Sequence, residues 1–295
     1  MSAWHRINTH NLPLLEKHYS RFEPYCHFNI VDLWSYRGGT NYWMKNGDTI
    51  AYKLNDYMDN SYYVTLLGKN SVRDTIKKIA GSDRSGSKTL TMKCVPDTVI
   101  DLIKDWGPVI SCDEDVDNHD YVFDINRLTS LNHPRIKAYK KFSRKYSELR
   151  LVPLDRRKPA DRRRLYSMFK RWLYQNNPDD WHKEYRAFIR ALNQKYVKLD
   201  CLAFIDGKKI VGFTINSAEK SGFYQAFFGK SDRRYPNLAL FQEIETAKYM
   251  QAKYGVRYMN LQPDSGIEGL RKFKQSLRPT RMLKKYTVTI DVTKL

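Results

Sequence analysis

The chain has 295 residues, 41% of them hydrophobic and 14% aromatic, which is enough apolar material for two folded domains and excludes a disordered protein. No apolar run approaches the roughly 20 residues that a membrane-spanning helix needs, and the N-terminus lacks the apolar core of a signal peptide, so the sequence predicts a soluble, cytoplasmic protein. The four cysteines are far apart and have no paired spacing, which favours neither a zinc site nor a disulfide framework (Cys26, Cys94, Cys112 and Cys201).

The first part of the chain with a readable pattern alternates strands and helices. Residues 61–70 are rich in β-branched and aromatic side chains and predict a strand, and residues 71–81 predict a helix that Ser71 caps. A turn leads into a second predicted strand within 83–95, and a short helix follows at 95–107. Alternation of this kind indicates an α/β fold.

Three longer helices are predicted in the middle of the chain, at 133–148, 161–175 and 181–196. Each carries aromatic and aliphatic side chains three or four residues apart, such as Leu165, Met168 and Phe169 in the second helix and Trp181 at the start of the third. This spacing places these side chains on one helix face, so we expect them in the core.

From residue 199 onward the pattern changes to strands. Two alternating segments around Asp206-Gly207 predict a β-hairpin, because this dipeptide favours a tight turn. The elements predicted after it are a strand at 221–232, a helix at 236–255, a strand at 256–262, a helix at 266–277 and a strand at 282–292. This order resembles the fold shared by the Gcn5-related N-acetyltransferases (the GNAT fold), although a fold alone does not decide function.

The positive charge of the chain, a formal net +20, is concentrated in two blocks. Residues 131–190 carry 18 basic and 6 acidic side chains and residues 269–295 carry 8 and 1, whereas residues 1–130 carry 15 and 17. A cationic field localised in this way favours a polyanionic partner, namely nucleic acid, an anionic membrane surface or a phosphorylated small molecule. A solvated surface without a partner is the alternative interpretation.

The segment NLQPDSGIEGLRKFKQSLRP at 260–279 combines one central acid with several cations at a predicted strand-to-helix junction. Ser265 and Glu268 have the spacing of a capping box. The predicted buried face of the helix consists of Ile267, Leu270, Phe273 and Leu277, and a second stripe beside it consists of Arg271, Lys274 and Arg278. Asp264 lies at the end of the strand, where open α/β sheets place their ligands, but the same position also suits an acid that only stabilises the helix N-terminus.

Three segments resemble the family named for the C-terminal domain of phosphatidylglycerol lysyltransferase. They are FEPYCHFNIVDLWSYRGGTNYW (22–43), YVFDINRLTSLNHPRIKAYKKFSRKYSE (121–148) and MNLQPDSGIEGLRKFKQSLRPTRMLKKYTV (259–288). The residues that fall at matching spacing in the last segment are Asn260, Asp264, Gly266, Gly269, Leu270, Arg271, Lys274, Pro279, Lys285 and Tyr286. Where the family commonly has an Arg-Glu pair, this chain has Leu261-Gln262, and Pro263 precedes the acid.

The resemblance implies two tandem GNAT-like domains with an α/β (α+β) fold, which we place at 1–130 and 131–295. It also implies an acyltransferase that takes an aminoacyl group from aminoacyl-tRNA, as co-substrate, and passes it to an amine or hydroxyl acceptor without a metal or redox cofactor. Membrane-bound relatives carry a transmembrane segment before this domain and use a lipid acceptor. The expected partners are therefore tRNA and, as a second class, a lipid or an anionic membrane surface. The expected protein is cytoplasmic and can associate with that surface.

An aminoacyl ester is already activated, so the enzyme has to position the nucleophile, take up its proton and stabilise the oxyanion. Asp264 is the candidate base, Lys274 and Arg271 are candidates for binding the ester oxygens or the terminal tRNA phosphate, and Tyr286 is a candidate hydroxyl donor. The resemblance implies that the substrate-binding residues include Asn260, Gly266, Gly269 and Lys285. The residues expected to bind tRNA phosphates are Lys137, Lys140, Lys141, Arg144, Arg156, Arg157, Arg162, Arg163 and Arg164.

Two other functions fit parts of the sequence. An N-acyltransferase that uses acyl-coenzyme A needs a glycine-rich turn whose amides hold the pyrophosphate, whereas GKSDRRYPNLAL at 229–240 has one glycine and contains Pro236. A non-catalytic module that binds nucleic acid or an anionic membrane needs the basic helices but not Asp264. The seven histidines have no metal-binding spacing, so no metal site is predicted.

Overall fold

The protein is described by a computed structural model that covers residues 4–56, 59–83, 86–176, 181–219 and 221–295. The chain divides into two compact units. Unit 1 contains the chain up to Asp120 together with Pro263–Gly266 and Met282–Leu295, and unit 2 contains Tyr121–Gln262 and Ile267–Arg281. The chain therefore returns to unit 1 twice, whereas the sequence places everything after residue 130 in a second domain.

The described strands, in chain order, are β1 (His5–Arg6), β2 (Tyr42–Asn46), β3 (Thr49–Asn55), β4 (Tyr62–Leu67), β5 (Thr89–Pro96), β6 (Val109–Glu114), β7 (Asp120–Asp124), β8 (Arg150–Leu154), β9 (Asp200–Asp206), β10 (Lys209–Ala218), β11 (Phe223–Ser231), β12 (Tyr258–Asn260), β13 (Arg281–Leu283) and β14 (Lys285–Asp291). The described α-helices are α1 (Leu12–Tyr19), α2 (Ile30–Ser35), α3 (Val72–Ser82), α4 (Asp97–Ile103), α5 (Ile125–Leu128), α6 (Ile136–Lys145), α7 (Pro159–Asn176), α8 (Trp181–Asn193), α9 (Leu238–Tyr254) and α10 (Glu268–Ser276).

Unit 1 is built on a seven-stranded mixed sheet with the strand order β1-β2-β3-β4-β5-β14-β6. Strands β4 and β5 are parallel and α3 connects them, because a parallel pair cannot be joined by a tight turn. The C-terminal strand β14 is antiparallel to both β5 and β6. Its buried residues Val288 and Ile290 join the same hydrophobic core as Met92 and Ile76, which explains why the end of the chain belongs to unit 1.

Unit 2 is built on a second mixed sheet with the strand order β13-β7-β12-β11-β10-β9-β8. The predicted hairpin at Asp206-Gly207 is confirmed, since β9 and β10 pair antiparallel around Gly207, whose φ of +57° suits a tight turn. Strands β11 and β12 are parallel, and α9 connects them and ends at Gly255 in a left-handed conformation. Both units thus contain a strand–helix–strand crossover in a mixed sheet, and the prediction of an α/β fold is confirmed.

The aromatic stripes of the central helices form the core of unit 2, as the sequence predicts. The rings of Phe169 in α7 and Phe188 in α8 stack with centroids 4.5 Å apart, and Phe213 of β10 packs against both. The side chain of Trp181 and part of the turn predicted before β5 lie outside the described residues. Among the helices that the structure describes, none is both long and apolar enough to cross a membrane.

Candidate active site

The turn that follows β12 holds the acid that the sequence singles out. Backbone φ angles are positive at Gln262 (+59°), Ser265 (+53°) and Gly266 (+75°), a conformation that costs a residue other than glycine roughly 1–2 kcal/mol. Glycine suits position 266, because its φ is positive and a Cβ atom there would lie 3.0 Å from Oδ2 of Asp117. The turn is therefore tightly specified on both sides of Asp264.

Asp264 is fully buried in unit 1. Its Oδ1 accepts a hydrogen bond from the backbone N–H of Gly266 at 2.9 Å, and the N–H of Ser265 donates to the carbonyl oxygen of Asp117 at 2.9 Å. The carboxylate is held by the turn that carries it and is shielded from bulk water.

The predicted details of helix α10 are wrong in two respects. The helix begins at Glu268 after Ile267, and no side chain in the described chain caps its N-terminus, so Ser265 and Glu268 form no capping box. Ile267 is 60% exposed, and the buried side chain of the helix is Lys274, which is only 4% exposed. A hydrophobic pattern cannot identify a buried lysine, because its burial depends on acceptors from elsewhere in the fold.

Lys274 is buried because unit 2 supplies acceptors for its ammonium group. Its Nζ donates to the carbonyl oxygens of Leu261 at 2.7 Å and Gln262 at 3.0 Å, and it lies 5.5 Å from the centre of the Tyr121 ring. Asn260 is also buried, and its Oδ1 accepts from the N–H of Gln262 at 2.7 Å. Lys274 and Asn260 therefore fix the backbone immediately before the Asp264 turn.

A buried acid that the sequence does not single out lies near Lys274 in unit 2. Glu243 of α9 is 7% exposed, and its Oε2 has no hydrogen-bond partner among the described residues. Burial raises the pKa of Glu243 to about 7, and the positive charge of Lys274 opposes that rise. One feature of the sequence could have identified Glu243. Helix α9 is apolar on more than one face, so a charged residue within it is a candidate for burial.

Lys285, predicted to bind substrate, lies fully buried in unit 1. Its Nζ donates to Oδ1 of Asp120 at 2.7 Å and lies 3.0 Å from Nδ1 of His27 and 3.3 Å from Sγ of Cys26. Burial opposes both charges of the Lys285–Asp120 pair, but the pair raises the pKa of Lys285 and lowers the pKa of Asp120. Burial and the charge of Lys285 lower the pKa of His27 to about 3, so this ring is neutral.

The other predicted site residues are more accessible. Tyr286, next to Lys285 in β14, is half-buried, and burial followed by the nearby Glu114 carboxylate raises its pKa. Arg271 is half-buried in α10, and Gly269 is exposed, with no atom within 4 Å of the place where a Cβ would stand. Asp264, Gly266, Lys285 and Tyr286 belong to unit 1, whereas Asn260, Gly269, Arg271 and Lys274 belong to unit 2.

The cations predicted to bind tRNA fall into two groups. Those that the fold leaves exposed are Lys137, Lys140, Lys141, Arg144, Arg157, Arg163 and Arg164. Arg162 is half-buried and donates to Oδ1 of Asn193 at 3.2 Å. Arg156 donates to the carbonyl oxygens of Leu192, Gln194 and Val197, so it stabilises the end of α8 and the segment after it, a structural role that the sequence does not reveal.

A carboxylate of the chain lies at the junction before each of the crossover helices α3 and α9. At the start of α3, Asp48 accepts from the N–H groups of Asn70 at 3.0 Å and Ser71 at 3.4 Å. At the start of α9, Oδ1 of Asp232 accepts from the N–H of Arg234 at 3.1 Å, and the N–H groups of Asp232, Tyr235 and Leu238 donate to backbone carbonyls. These hydrogen bonds hold the segments that lead into α3 and α9.

Residues 29–289 match the family described as phosphatidylglycerol lysyltransferase, C-terminal. No curated protein sequence matches the chain.

Solved structures share the fold at low sequence identity. A conserved protein of unknown function from Bacteroides thetaiotaomicron is 19% identical with a TM-score of 0.81, over 98% of this chain and 100% of that one. The L-PGS structure from Bacillus licheniformis is 11% identical with a TM-score of 0.67, over 97% and 93%. A tandem GNAT protein from the clavulanic acid biosynthesis pathway is 10% identical with a TM-score of 0.51, over 98% of each chain.

The fold of the chain is thus GNAT-like, as the order of its predicted elements suggests, and the family and the fold together indicate a transferase. Because the family match extends over most of the sequence, the chain belongs to the phosphatidylglycerol lysyltransferase C-terminal family.

Proposed function

We propose that this protein transfers an aminoacyl group from an aminoacyl-tRNA to an amine or hydroxyl acceptor. Family membership supports the class of reaction, and the buried Asp264 in its tightly specified turn is the observation that carries the proposal. Residues held in sparsely populated backbone conformations cluster at functional sites, and two such residues other than glycine, Gln262 and Ser265, flank this acid.

In the proposed reaction the acceptor N–H or O–H attacks the ester carbonyl, and Asp264 takes up its proton. The ester C–O bond then breaks, and the ribose hydroxyl of the tRNA leaves with a proton. A carboxylate shielded from water favours transfer over hydrolysis of the ester, since no bulk water competes with the acceptor. The ester is already activated, so the proposal includes no metal or redox cofactor.

The other predicted site residues have different roles in the proposal. Lys274 is a positioning residue, because its ammonium group binds the carbonyl oxygens of Leu261 and Gln262, just before the turn. Arg271 is half-buried and is proposed to bind an ester or phosphate oxygen of the donor. Tyr286, whose pKa is raised, keeps its proton at neutral pH and is proposed to donate a hydrogen bond.

A tRNA donor is favoured over acyl-coenzyme A by the composition of the loop before α9. The loop before α9, within residues 229–240, has one glycine and contains Pro236, so it lacks the glycine-rich turn whose amides hold a pyrophosphate. A tRNA donor does not depend on these amides, because its backbone phosphates can bind basic side chains. Under this proposal the acceptor is a lipid, a peptide or a small molecule. A lipid acceptor requires a cytoplasmic protein to reach an anionic membrane surface.

The proposal is tested by measuring transfer of radiolabelled amino acids from a total aminoacyl-tRNA pool to the lipids, peptides and small molecules of a cell extract. The Asp264→Asn variant keeps the oxygen that accepts from Gly266 but removes the base, so we expect transfer to fall by roughly 10²–10⁴-fold while tRNA binding persists.

Glu268→Gln is the matched control, because Glu268 is an exposed acid four residues further on whose partner is Lys272. We expect this control to transfer at the wild-type rate. Transfer by Asp264→Asn at the wild-type rate would show that Asp264 is not the base. Transfer from acyl-coenzyme A but not from aminoacyl-tRNA would overturn the proposed donor.

A further inference from the structure

A buried carboxylate in unit 2 borders an opening in the protein surface. Glu243 of α9 is only 7% exposed. Its Oε1 lies 3.6 Å from the point where a Cβ on Gly229 of β11 would stand, and no other described atom beyond the chain neighbours of Gly229 lies within 4 Å of that point. Gly229 is itself exposed, so the missing side chain leaves a narrow path from solvent to the carboxylate.

The other buried polar side chains of α9 have hydrogen-bond partners in the sheet. Oγ1 of Thr246 lies 3.0 Å from Oγ1 of Thr214 in β10, and Nε2 of Gln242 donates to the carbonyl oxygen of Lys230 at 3.2 Å. Glu243 lies between Gln242 and Thr246 in the helix, but its Oε2 has no partner among the described residues. The sheet thus satisfies the neutral groups and leaves the acid without a donor at this oxygen.

Two titratable groups interact electrostatically with Glu243, namely Lys274 and Tyr224. Nζ of Lys274 donates to two backbone carbonyl oxygens, and the hydroxyl of Tyr224 donates to Sδ of Met259 at 2.7 Å. Neither group supplies a partner to Oε2 of Glu243. The carboxylate therefore keeps an acceptor position for a donor from outside the chain.

We infer that the Glu243 carboxylate binds a primary ammonium group that reaches it over Gly229. An unpaired carboxylate in the interior is costly, and a cation that donates hydrogen bonds to it removes that cost. An ammonium group is compact and suits a path bordered by one glycine, whereas the planar guanidinium group is wider. A metal ion fits less well, because the described residues contain no group of three or more side chains that could hold one.

The source of the ammonium group rests on the proposed function, which offers two. An aminoacyl ester carries an ammonium group on the carbon next to its carbonyl, and an amine acceptor carries one before it loses a proton. Both present the same chemistry to Glu243. Binding of either would hold one reactant at a fixed place in unit 2.

Ligand-observed NMR titration of the full chain measures ammonium binding separately from transfer. The probes are alaninamide, which imitates the aminoacyl group, ethylamine, which imitates an amine acceptor, and lactamide, which replaces the ammonium of alaninamide by a hydroxyl group. We expect the wild type to bind at least one ammonium probe about tenfold more tightly than lactamide. We expect Glu243→Gln, which removes the charge but keeps the shape, to bind that probe roughly 10–100-fold more weakly.

A glycine variant tests the path to the carboxylate. Gly229→Ala places a methyl group 3.6 Å from Oε1 of Glu243, an ordinary contact at a residue whose φ is not positive, so the variant should fold as the wild type does. We expect it to bind the ammonium probe about threefold more weakly, because the methyl group narrows the path. The matched controls are Gly81→Ala, with no atom within 4 Å of the new Cβ, and Glu245→Gln, whose carboxylate pairs with Lys248 at 2.8 Å. Both controls should bind as the wild type does.

Transfer kinetics of Glu243→Gln identify the source of the ammonium group. A raised KM for aminoacyl-tRNA alone assigns the site to the donor, and a raised KM for the amine alone assigns it to the acceptor. Unchanged KM values for both would remove the site from the reaction and overturn the inference.

The binding results separate this inference from the proposed function. If the wild type binds neither ammonium probe, binds lactamide equally well, or binds no better than Glu243→Gln, the ammonium site is overturned although the transferase proposal stands. If ammonium binding depends on Glu243 in a protein that transfers no aminoacyl group, the ammonium site stands and the proposed function is overturned.

Discussion

The strand-to-helix junctions of the two units hold a carboxylate in the same kind of place but in different surroundings. Asp48 accepts two backbone N–H groups at the start of α3 in unit 1, whereas Asp232 in unit 2 pairs with Arg171, Lys209 and Arg234. In each unit a carboxylate of the chain thus holds the segment that leads into the crossover helix. Only in unit 2 do the described residues pair that acid with cations.

The buried ionisable groups of the two units differ in a second way. Unit 1 buries both members of a charge pair, Lys285 and Asp120, with further contacts to Cys26 and His27. Unit 2 buries Glu243 with one oxygen that lacks a hydrogen bond within the described structure. The charges of a buried pair persist through ordinary changes of pH. A buried acid whose pKa lies near 7 changes its charge within that range.

The strongest test of this difference is the Asp120→Ala variant. It leaves the ammonium of Lys285 buried without its carboxylate, so we expect the free energy of unfolding to fall by about 3–5 kcal/mol. Urea unfolding followed by circular dichroism measures the change. Asp120→Leu/Lys285→Met, which removes both charges, is expected to recover part of the loss. A fall below about 1 kcal/mol for Asp120→Ala would contradict the role assigned to the pair.

A smaller effect of opposite sign is expected for Glu243→Gln. The pKa of Glu243 is raised from 4.5 to about 7 in the folded protein, so the wild type loses stability as pH rises from about 4.5 to 7 and the loss is complete above pH 7. The glutamine side chain of the variant does not ionise, so the variant should be more stable by up to about 3 kcal/mol at pH 8 and show no difference near pH 4. Urea unfolding at both values measures this, and an equal effect at the two pH values would exclude the buried charge as its cause.

The smallest effect is expected for Asp48→Ala at the α3 junction. Asp48 is half-exposed and acts as a cap for the helix start, so its loss should lower the free energy of unfolding by about 1 kcal/mol at pH 7. Hydrogen bonds from Asn70 and Ser71 lower its pKa although burial opposes them, so the contribution is present above the unfolded pKa and disappears as pH falls through the folded one. A deficit that persists well below pH 3 in urea unfolding would argue against this account.

Several features follow from local sequence. The hairpin at Asp206-Gly207 and the end of α9 at Gly255 are predicted because a turn or a helix stop needs a residue that tolerates positive φ. The core positions of α7 are predicted because helical spacing fixes which side chains share a face. In contrast, β1 to β3 are not predicted, although Asn46-Gly47 is a hairpin signal and β2 and β3 pair antiparallel across it, with Asn46 opposite Thr49.

The family, the α/β class, the order of most elements after residue 60 and the two blocks of positive charge can be predicted from the sequence. The burial of Lys274 and Lys285, the pairing of Lys285 with Asp120, 165 residues away, and the place of β14 in the sheet of unit 1 become visible in the folded chain. The reason is physical: periodicity reports which residues share a face of one element. The burial of a charge depends instead on acceptors that distant strands and helices bring to it.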